Sequence, residues 1–375
     1  METSESPATD GTALRGEAVY FYAVDIAYDM KRSSLDRLLG EKLEPYQIHA
    51  RKRGPRGQSF YRPLMIKLPG LRRKMRGTEV TLQAAVKVLP VGALSVMVRV
   101  PFTVASAEEL GRWHDPVFDE GSLEQWIAET VDQARVELKP HSIRPHGKLP
   151  EGESYTVFCL DTQSPGIRED AAAWLEAHRS TVGALLTKEP DAKALSPQEI
   201  EESTSRWLSY YRHDVVVTDW DASLVIDRPA DFDEALYVME LANVQLEELE
   251  AYDAFIDDSL ERAYRDINSP RPPRRGNILR ELKELRMDLS HFSEELSNIT
   301  KFFGEWHLAR VYENTARVFH LADWHRAIDE KLRTLDSLYE MLKQDQNHRI
   351  MVWLEVGIVL LFVIDLVMLF SGIGK

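Results

Sequence analysis

The feature that most constrains this chain is an apolar stretch near its C-terminus. Residues 351–370 read MVWLEVGIVLLFVIDLVMLF. About 20 residues, at 1.5 Å per residue in an α-helix, span the ~30 Å hydrocarbon layer of a bilayer. The stretch is apolar nearly all round, whereas a helix in a soluble core is usually amphipathic. We therefore expect a transmembrane helix over residues 349–372, and the alternative is a buried helix of a soluble core.

Two carboxylates, Glu355 and Asp365, interrupt this stretch. A charge at the bilayer centre costs roughly 2.5–3.5 kcal/mol. Both residues lie nearer the ends of the stretch, about 6–7 Å from them at the helical rise. We expect the apolar side chains to outweigh this cost. The carboxylates then mark either a contact between helices or an ion path, and we favour contact because one span per chain cannot line a pore without oligomerisation.

The charges around the apolar stretch predict its orientation. Lys343 and Arg349 precede it, and Lys375 follows it. The positive-inside rule therefore keeps the N-terminal bulk in the cytoplasm. Residues 1–16 contain no apolar run and are acidic, so we expect a disordered N-terminus that is neither a secretory signal nor a mitochondrial transit peptide. These features predict a single-pass protein of a bacterial-type cytoplasmic (inner) membrane.

A long helical stalk is predicted over residues 231–348. Asp231, with Glu234 three residues later, is a candidate N-cap for a helix that runs to about Ile267. A proline-rich linker over 268–277 follows it. Later apolar residues alternate at spacings of three and four, as in a coiled-coil seam. This seam consists of Leu282, Leu285, Leu289, Phe292, Leu296 and Ile299 and continues to Phe303 and Trp306.

The heptad pattern resumes further along the chain but with a changed phase. It includes Leu321, Trp324 and Ile328, misses at Lys331, and continues through Leu335. The change of phase predicts a break near residues 304–308 between two antiparallel or kinked helices. The seam is covered either within one chain or between chains, and the pattern does not choose between these alternatives.

The front part, residues 17–230, reads as an α+β head domain. Helices are predicted to begin at Ser122 and at Ser196, the latter with proline at the first helical position and glutamate at the third. Another helix is expected over 171–187. Alternating or apolar β-rich runs predict strands at 18–26, 80–88, 93–104, 155–160 and 215–226, the second and third as a hairpin and the last turning near 219–221.

The sharpest local anomaly in charge is a basic segment over residues 45–78. The chain as a whole is acidic, with a formal charge of −15, yet this segment contains no Asp or Glu. It either binds phosphates, on anionic lipid or on RNA, or forms a solvated loop whose charges pair with the acidic remainder. Its basic residues are Arg51, Lys52, Arg53, Arg56, Arg62, Lys67, Arg72, Arg73, Lys74 and Arg76.

Motifs for catalysis or for tight cofactor binding are missing from the sequence. It contains no phosphate-binding loop, no dinucleotide fingerprint and no nucleophile elbow. Cys159 lies in an apolar strand and reads as a small core residue. Two histidine pairs, His141 with His146 and His320 with His325, have a spacing of five, which does not place both rings on one helix face. We expect no enzyme activity, no cofactor, no metal and no small-molecule substrate.

The second half of the chain resembles a known family. Residues 235–370 resemble the C-terminal half of the meiotic-nuclear-division/YagE-like family, a domain of unknown function. The resemblance rests on ALYVMELANVQLEELEAYDAFID, on FFGEWHLARVYENTARVFHL, and on Leu354-Glu355 inside the apolar stretch. Trp306, Leu308 and Tyr312 stand where the family has a Trp, a Leu and a Tyr after a helix break.

The sequence also departs from that family. Val356 replaces a Trp of the family's Leu-Glu-Trp, and in the front half Gly92 stands alone where the family has Asp-Tyr-Gly. The resemblance implies one C-terminal membrane helix and assembly as a homo-oligomer, and a mitochondrial member of the family is linked to organellar translation. It implies no catalytic residues.

These observations favour a membrane-anchored, non-enzymatic, self-associating scaffold or tether with a cytoplasmic α+β head. One alternative is an ion channel or transporter like the CorA-type magnesium channels, assembled from single-span subunits. Those channels have two spans and a Gly-Met-Asn loop, which this sequence lacks. Another alternative is a membrane protein that binds RNA or anionic lipid, for which the basic segment is the argument.

Overall fold

The computed structural model describes residues 13–31, 35–46, 63–75, 77–146, 152–168, 170–268, 287 and 306–371. The chain divides into two compact units. Unit 1 comprises residues 1–251 and 291–324, and unit 2 comprises residues 252–290 and 325–375. The seam from Leu282 to Ile299 lies outside the described residues. The predicted domain boundaries at 16/17, 230/231 and 348/349 stay predictions.

The strands, numbered along the described chain, are β1 (Leu14–Asp25), β2 (Ala27–Met30), β3 (Arg37–Leu38), β4 (Glu41–Lys42), β5 (Glu44–Pro45), β6 (Leu64–Lys67), β7 (Leu71–Met75), β8 (Thr78–Val88), β9 (Ala93–Val104), β10 (Val117–Phe118), β11 (Gly121–Ser122), β12 (Ser142–Pro145), β13 (Glu153–Asp161), β14 (Trp207–Leu208), β15 (Val215–Thr218) and β16 (Ala222–Asp227). The α-helices are α1 (Leu123–Leu138), α2 (Ala171–Ala177), α3 (Arg179–Leu186), α4 (Pro197–Thr204), α5 (Phe232–Asn268), α6 (Trp306–Val318) and α7 (Leu321–Ser371). Two 3-10 helices cover Ala107–Trp113 and Lys139–His141.

One large mixed sheet organises unit 1. Among the described residues, ten strands form it, in the order β14-β15-β16-β13-β1-β9-β8-β6-β5, with β7 also paired to β8. Neighbouring strands are antiparallel except β13 and β16, which are parallel. The chain passes through α2, α3 and α4 between these two strands, as a parallel connection requires a crossover. The predicted α+β character of the front half is therefore confirmed.

The hairpin of β8 and β9 forms where alternation in the sequence predicts it, with β9 at the predicted bounds and β8 beginning two residues before the predicted start at residue 80. Its turn holds Gly92 at φ +100°, and a Cβ atom there would overlap the carbonyl oxygen of Ala27. Only glycine fits such a close approach of two backbones. The backbone N–H groups of Ile26 and Ala27 both reach the Gly92 carbonyl, at 3.0 and 3.2 Å. The turn therefore joins the hairpin to the end of β1.

Helix starts in the head follow their predicted caps. The Ser122 hydroxyl accepts a hydrogen bond from the Gln125 N–H, and the Ser196 hydroxyl accepts one from Glu199, both at 3.1 Å. The prediction of one helix over 171–187 is wrong in one respect. The helix is divided into α2 and α3 at His178, whose backbone leaves the helical region and whose ring stacks on Trp174.

The two faces of the sheet differ in chemistry. Side chains at alternate positions, such as Val24 of β1 and Val98 of β9, join an apolar core with Ile127 of α1 and Leu185 of α3. The opposite face carries Cys159, which is fully buried in β13, and burial raises the pKa of its thiol. The first half of α5 covers part of this second face.

Helix α5 starts where its predicted cap lies and ends one residue beyond the predicted end. Its residues 234–249 are buried on all sides. The carboxylate of Asp231 accepts a hydrogen bond at 2.7 Å from the Arg228 side chain. On the side away from the sheet, the Tyr312 hydroxyl of α6 donates to the Gln245 side chain of α5. Because this part of α5 is buried on every side, its polar side chains can find partners only within the protein.

A tight turn separates α6 from α7. His320 has a φ of +51°, a conformation that favours glycine or asparagine. The preceding residue, Phe319, is buried, and its ring lies edge-on to that of Tyr155 with ring centres 4.9 Å apart. The Trp220 ring lies on another side of Phe319, also edge-on, with the two ring centres 6.1 Å apart. This turn holds the beginning of α7 against the sheet of unit 1.

Helix α7 continues without a break for 51 residues, through the region where the predicted stalk meets the predicted transmembrane helix. Ile328 and Leu335, two seam residues, are buried within the single chain. In this part of α7 the seam is therefore covered by the chain itself. Lys331, where the heptad pattern misses, contacts Asp253 at 2.7 Å and Asp257 at 2.8 Å, both on α5.

Lys331 therefore joins two helices of unit 2. Burial opposes its charge, but hydrogen bonds to the two aspartates outweigh this effect and raise the pKa of Lys331. We expect Lys331→Glu to destabilise this contact by about 1–2 kcal/mol, more than an exposed pair contributes, because three acidic groups would then meet. The measurement is hydrogen exchange of backbone amides 325–335 in the full-length protein, and exchange should be faster in the variant. Arg333→Glu, at an exposed position of the same helix, should leave exchange unchanged, and equal exchange in both variants would contradict the role of Lys331.

Candidate functional site

The end of α7 is the described segment with the composition of a membrane span. Within the described residues, one helix is long and apolar enough to cross a bilayer, over Met351–Met368, and none of this window is buried in the chain. Trp353 is 77% exposed and Phe362 68% exposed. Glu355 and Asp365 are also exposed. Length and composition therefore make this helix a possible C-terminal membrane anchor.

The basic segment is only partly described. Arg51, Lys52, Arg53, Arg56, Arg62 and Arg76 lie outside the described residues. The others lie on strands: Lys67 ends β6, and Arg72, Arg73 and Lys74 form the middle of β7. Arg72 lies 3.7 Å from Glu79 of β8, both side chains being exposed. The described part thus shows one pairing with an acid, of a kind that contributes little in water.

A buried ion pair lies between the sheet and α5. Lys87 of β8 is 3% exposed and Glu240 of α5 is 4% exposed, and their charged groups are in direct contact. The Ser95 hydroxyl of β9 donates to the other carboxylate oxygen of Glu240 at 2.7 Å. The ammonium of Lys87 also lies 3.9 Å from the ring centre of Tyr46. The pair is therefore enclosed on several sides by groups that stabilise its charges.

A second charged cluster lies nearer the start of α5. The Arg99 guanidinium of β9 donates to Glu17 of β1 at 3.1 Å and to Asp233 of α5 at 2.7 Å. Burial opposes the charge of Arg99, but the hydrogen bonds and charges of the two acids raise its pKa. This cluster links two neighbouring strands to the first turn of α5.

A cleft of about 690 Å³ opens between this sheet face and the start of α5. Tyr46 and Tyr237 form one wall, with ring centres 5.8 Å apart. Burial, followed by the nearby carboxylate of Glu240, raises the pKa of the Tyr46 hydroxyl. The lining includes residues of both charged clusters as well as Lys67 of the basic segment. The cleft therefore offers aromatic, cationic and anionic groups side by side.

A third buried cluster surrounds Glu247 of α5. One carboxylate oxygen accepts from the backbone N–H of Asp25 at 3.0 Å and the other from that of Glu153 at 3.1 Å. The Asp25 carboxylate in turn contacts the His146 ring at 3.1 Å. Burial raises the pKa of Glu247 to about 8, and the charges of Asp25, Glu153 and Glu250 act in the same direction. Burial also raises the pKa of Asp25, against the hydrogen bond from His146.

These three clusters hold α5 on the sheet. In the part of the chain that the structure describes, no three His, Cys, Asp or Glu side chains are arranged to hold a metal ion. The charges of Lys87 and Arg99 are taken up by carboxylates of the chain itself. These clusters fix the first half of α5, the helix that continues into unit 2.

Reasoning from the sequence missed these clusters. The available signal was Lys87 within the otherwise apolar end of β8, and polar residues such as Glu240, Asn243 and Glu247 within a largely apolar part of α5. A buried charge requires a partner, so each of these residues pointed to another. The partners lie far apart in sequence, since Lys87 and Glu240 are separated by 153 positions.

Comparison with known proteins places the sheet-containing region in a protein family. Residues 15–233 match the family model described as the N-terminal domain of uncharacterized protein MJ0711. The chain belongs to this family. MJ0711 itself, from Methanocaldococcus jannaschii, is 22% identical to the chain over 223 residues, which are 59% of this chain and 67% of the archaeal protein. No solved structure matches the chain.

The MJ0711 family match covers β1 to the first residues of α5 and therefore includes Lys87 and Arg99 but not Glu240 or Glu247. It ends before residues 235–370, which carry the resemblance to the meiotic-nuclear-division/YagE-like family. That resemblance stays a prediction. The MJ0711 domain is uncharacterized, so the family match brings no activity with it.

Proposed function

We propose that the protein is a membrane-anchored, non-enzymatic scaffold or tether that self-associates. The observation that carries the proposal is α7, an unbroken helix whose apolar window, Met351–Met368, is not buried by any of the described residues. Exposed apolar surface is disfavoured in water by about 25 cal/mol per Å². Contiguous exposure on this scale marks a surface that a membrane or a partner covers.

The surrounding charges support a particular orientation. Lys343 and Arg349 precede the span, so the N-terminal bulk would stay in the cytoplasm, at the inner membrane of a bacterial-type cell. The resemblance of residues 235–370 to the meiotic-nuclear-division/YagE-like family agrees with one C-terminal membrane helix and with homo-oligomers.

The buried charges support a binding role over an enzymatic one. Lys87, Arg99 and Glu240 are engaged with each other or with neighbouring acids beneath α5. These groups line the cleft, but each is already held in a charge pair within the chain. The basic segment remains a candidate surface for phosphates, and a membrane anchor would favour anionic lipid headgroups over RNA as their source.

The anchor is tested by Leu361→Arg, in the middle of the apolar window. The substitution should disfavour insertion by roughly 3 kcal/mol, because an arginine would then lie near the bilayer centre. Leu361 is 67% exposed in the chain, so the fold of the chain is not at risk. The measurement is the fraction of full-length protein that stays in the membrane pellet after an alkaline carbonate wash.

The expected result is that the wild type stays in the pellet and that Leu361→Arg is depleted from it. Ser337→Arg, at an exposed position further up α7, is the matched control and should pellet like the wild type. Release of the wild type by carbonate would contradict the anchor.

A further inference from the structure

The two carboxylates of the apolar window lie on one face of α7. Glu355, Ile358, Phe362 and Asp365 follow one another at spacings of three, four and three. At about 100° per residue these four positions fall within an arc of roughly 80°. We call them the carboxylate stripe. The remaining residues of Met351–Met368 are apolar or glycine, so every charge of the window lies on this stripe.

The described residues of the chain do not cover this stripe. All four residues are exposed in the structure. The part of α7 that the chain does cover is marked by Ile328, which lies 27 residues before Glu355 and therefore roughly 180° away around a straight helix. Within the described residues the carboxylates have no cover, and we look for their partner in another molecule.

We propose that the carboxylate stripe is the surface through which two copies of this chain associate in the bilayer. The inference rests on the proposed function, because it requires the window to be inserted. Copies that insert in the same direction place Glu355 beside Glu355 and Asp365 beside Asp365, at matching depths. An isolated carboxylate in lipid is disfavoured, whereas carboxyl groups that meet can share a proton in a hydrogen bond.

The spacing of the two carboxylates is compatible with a second copy as the partner. The two carboxylates are ten residues apart, about 15 Å along the helix. A twofold axis parallel to the helices brings both pairs together at once, as an isologous interface requires. Gly357 offers a competing surface, since small residues also allow helices to approach, but it lies on a different face.

Cysteine cross-linking in the membrane tests which face is in contact. Phe362→Cys places a thiol on the carboxylate stripe, and Leu360→Cys places one on the opposite face. The native Cys159 is buried and does not compete. The full-length variants are reconstituted in phosphatidylcholine vesicles and oxidised with copper-phenanthroline. The expected result is disulfide-linked dimers for Phe362→Cys and monomers for Leu360→Cys.

Two further variants test the chemistry. Glu355→Leu with Asp365→Leu should weaken association roughly tenfold, because both interhelical hydrogen bonds are lost, while Glu355→Gln with Asp365→Asn should retain it. Gly357→Leu should leave association unchanged, since open space surrounds that position in the chain. Weakened association in Gly357→Leu would overturn the proposal that the copies meet at the carboxylate stripe and would indicate the face that carries Gly357 instead.

The carbonate wash is applied to the same vesicles. A chain missing from the pellet contradicts both the anchor and the stripe. A chain that is in the pellet but cross-links equally at both positions, or at neither, contradicts the stripe alone and leaves the anchor standing.

Discussion

Lys87→Met is expected to destabilise unit 1 by about 3–5 kcal/mol, because it leaves the Glu240 carboxylate buried without its counter-charge. Ser95 alone would then face that carboxylate. Glu240→Gln should have a similar effect by leaving the Lys87 ammonium without a carboxylate. Both are measured by chemical unfolding of the full-length protein in detergent, followed through tryptophan fluorescence.

The double variant Lys87→Met with Glu240→Leu separates the loss of a partner from the loss of the pair. Removing both charges also removes the desolvation cost of burying them, so its stability should return close to the wild-type value or exceed it. Lys42→Met, which breaks an exposed pair with Glu44, is the surface control and should change stability by about 0–1 kcal/mol. A buried pair that behaves like this surface pair would contradict the prediction.

The second large effect is a dependence of stability on pH that arises from Glu247. Its pKa is raised from 4.5 to about 8 in the folded chain. Between these values the unfolded chain releases a proton that the folded chain retains. The stability from Glu247 is therefore complete below about pH 4.5 and is lost as pH rises to about 8, which at about 1.4 kcal/mol per pKa unit amounts to a few kcal/mol.

Glu247→Gln should flatten this part of the stability curve. The amide cannot accept both backbone N–H groups that reach Glu247, so the variant should be less stable than the wild type at pH 5, and the difference should shrink or reverse by pH 8. Unfolding in detergent at several pH values measures the slope. Glu124→Gln removes an exposed carboxylate of α1 and should retain the wild-type slope. A steep slope in Glu247→Gln would assign the effect to Asp25 instead.

Local patterns in the sequence predicted much of the head. The hairpin of β8 and β9, the cap of α4 at Ser196 and the start of α5 depend on residues close together in the chain, so alternation and capping chemistry suffice. The apolar window at the end of α7 was also predictable from the sequence, because its composition alone determines that it favours an apolar environment.

Features that depend on distant partners were not predictable in the same way. Strand β7 contains three consecutive basic residues and shows no apolar alternation, and it forms by pairing with β8. The turn at His320 has neither glycine nor proline, so the break between α6 and α7 was not predicted. The break predicted near residues 304–308 lies mostly outside the described residues, which resume at Trp306 with the start of α6, and it stays a prediction. The partners of Lys87 and Glu247 are set by the packing of α5 on the sheet.

The enclosure of Cys159 has a practical consequence. The Cys159 thiol, with its pKa raised by burial, meets an alkylating reagent only when the groups that cover this face of the sheet move away. Because the chain contains one cysteine, each modified molecule records one such opening. The rate at which Cys159 is alkylated in the native protein therefore measures how often this opening occurs.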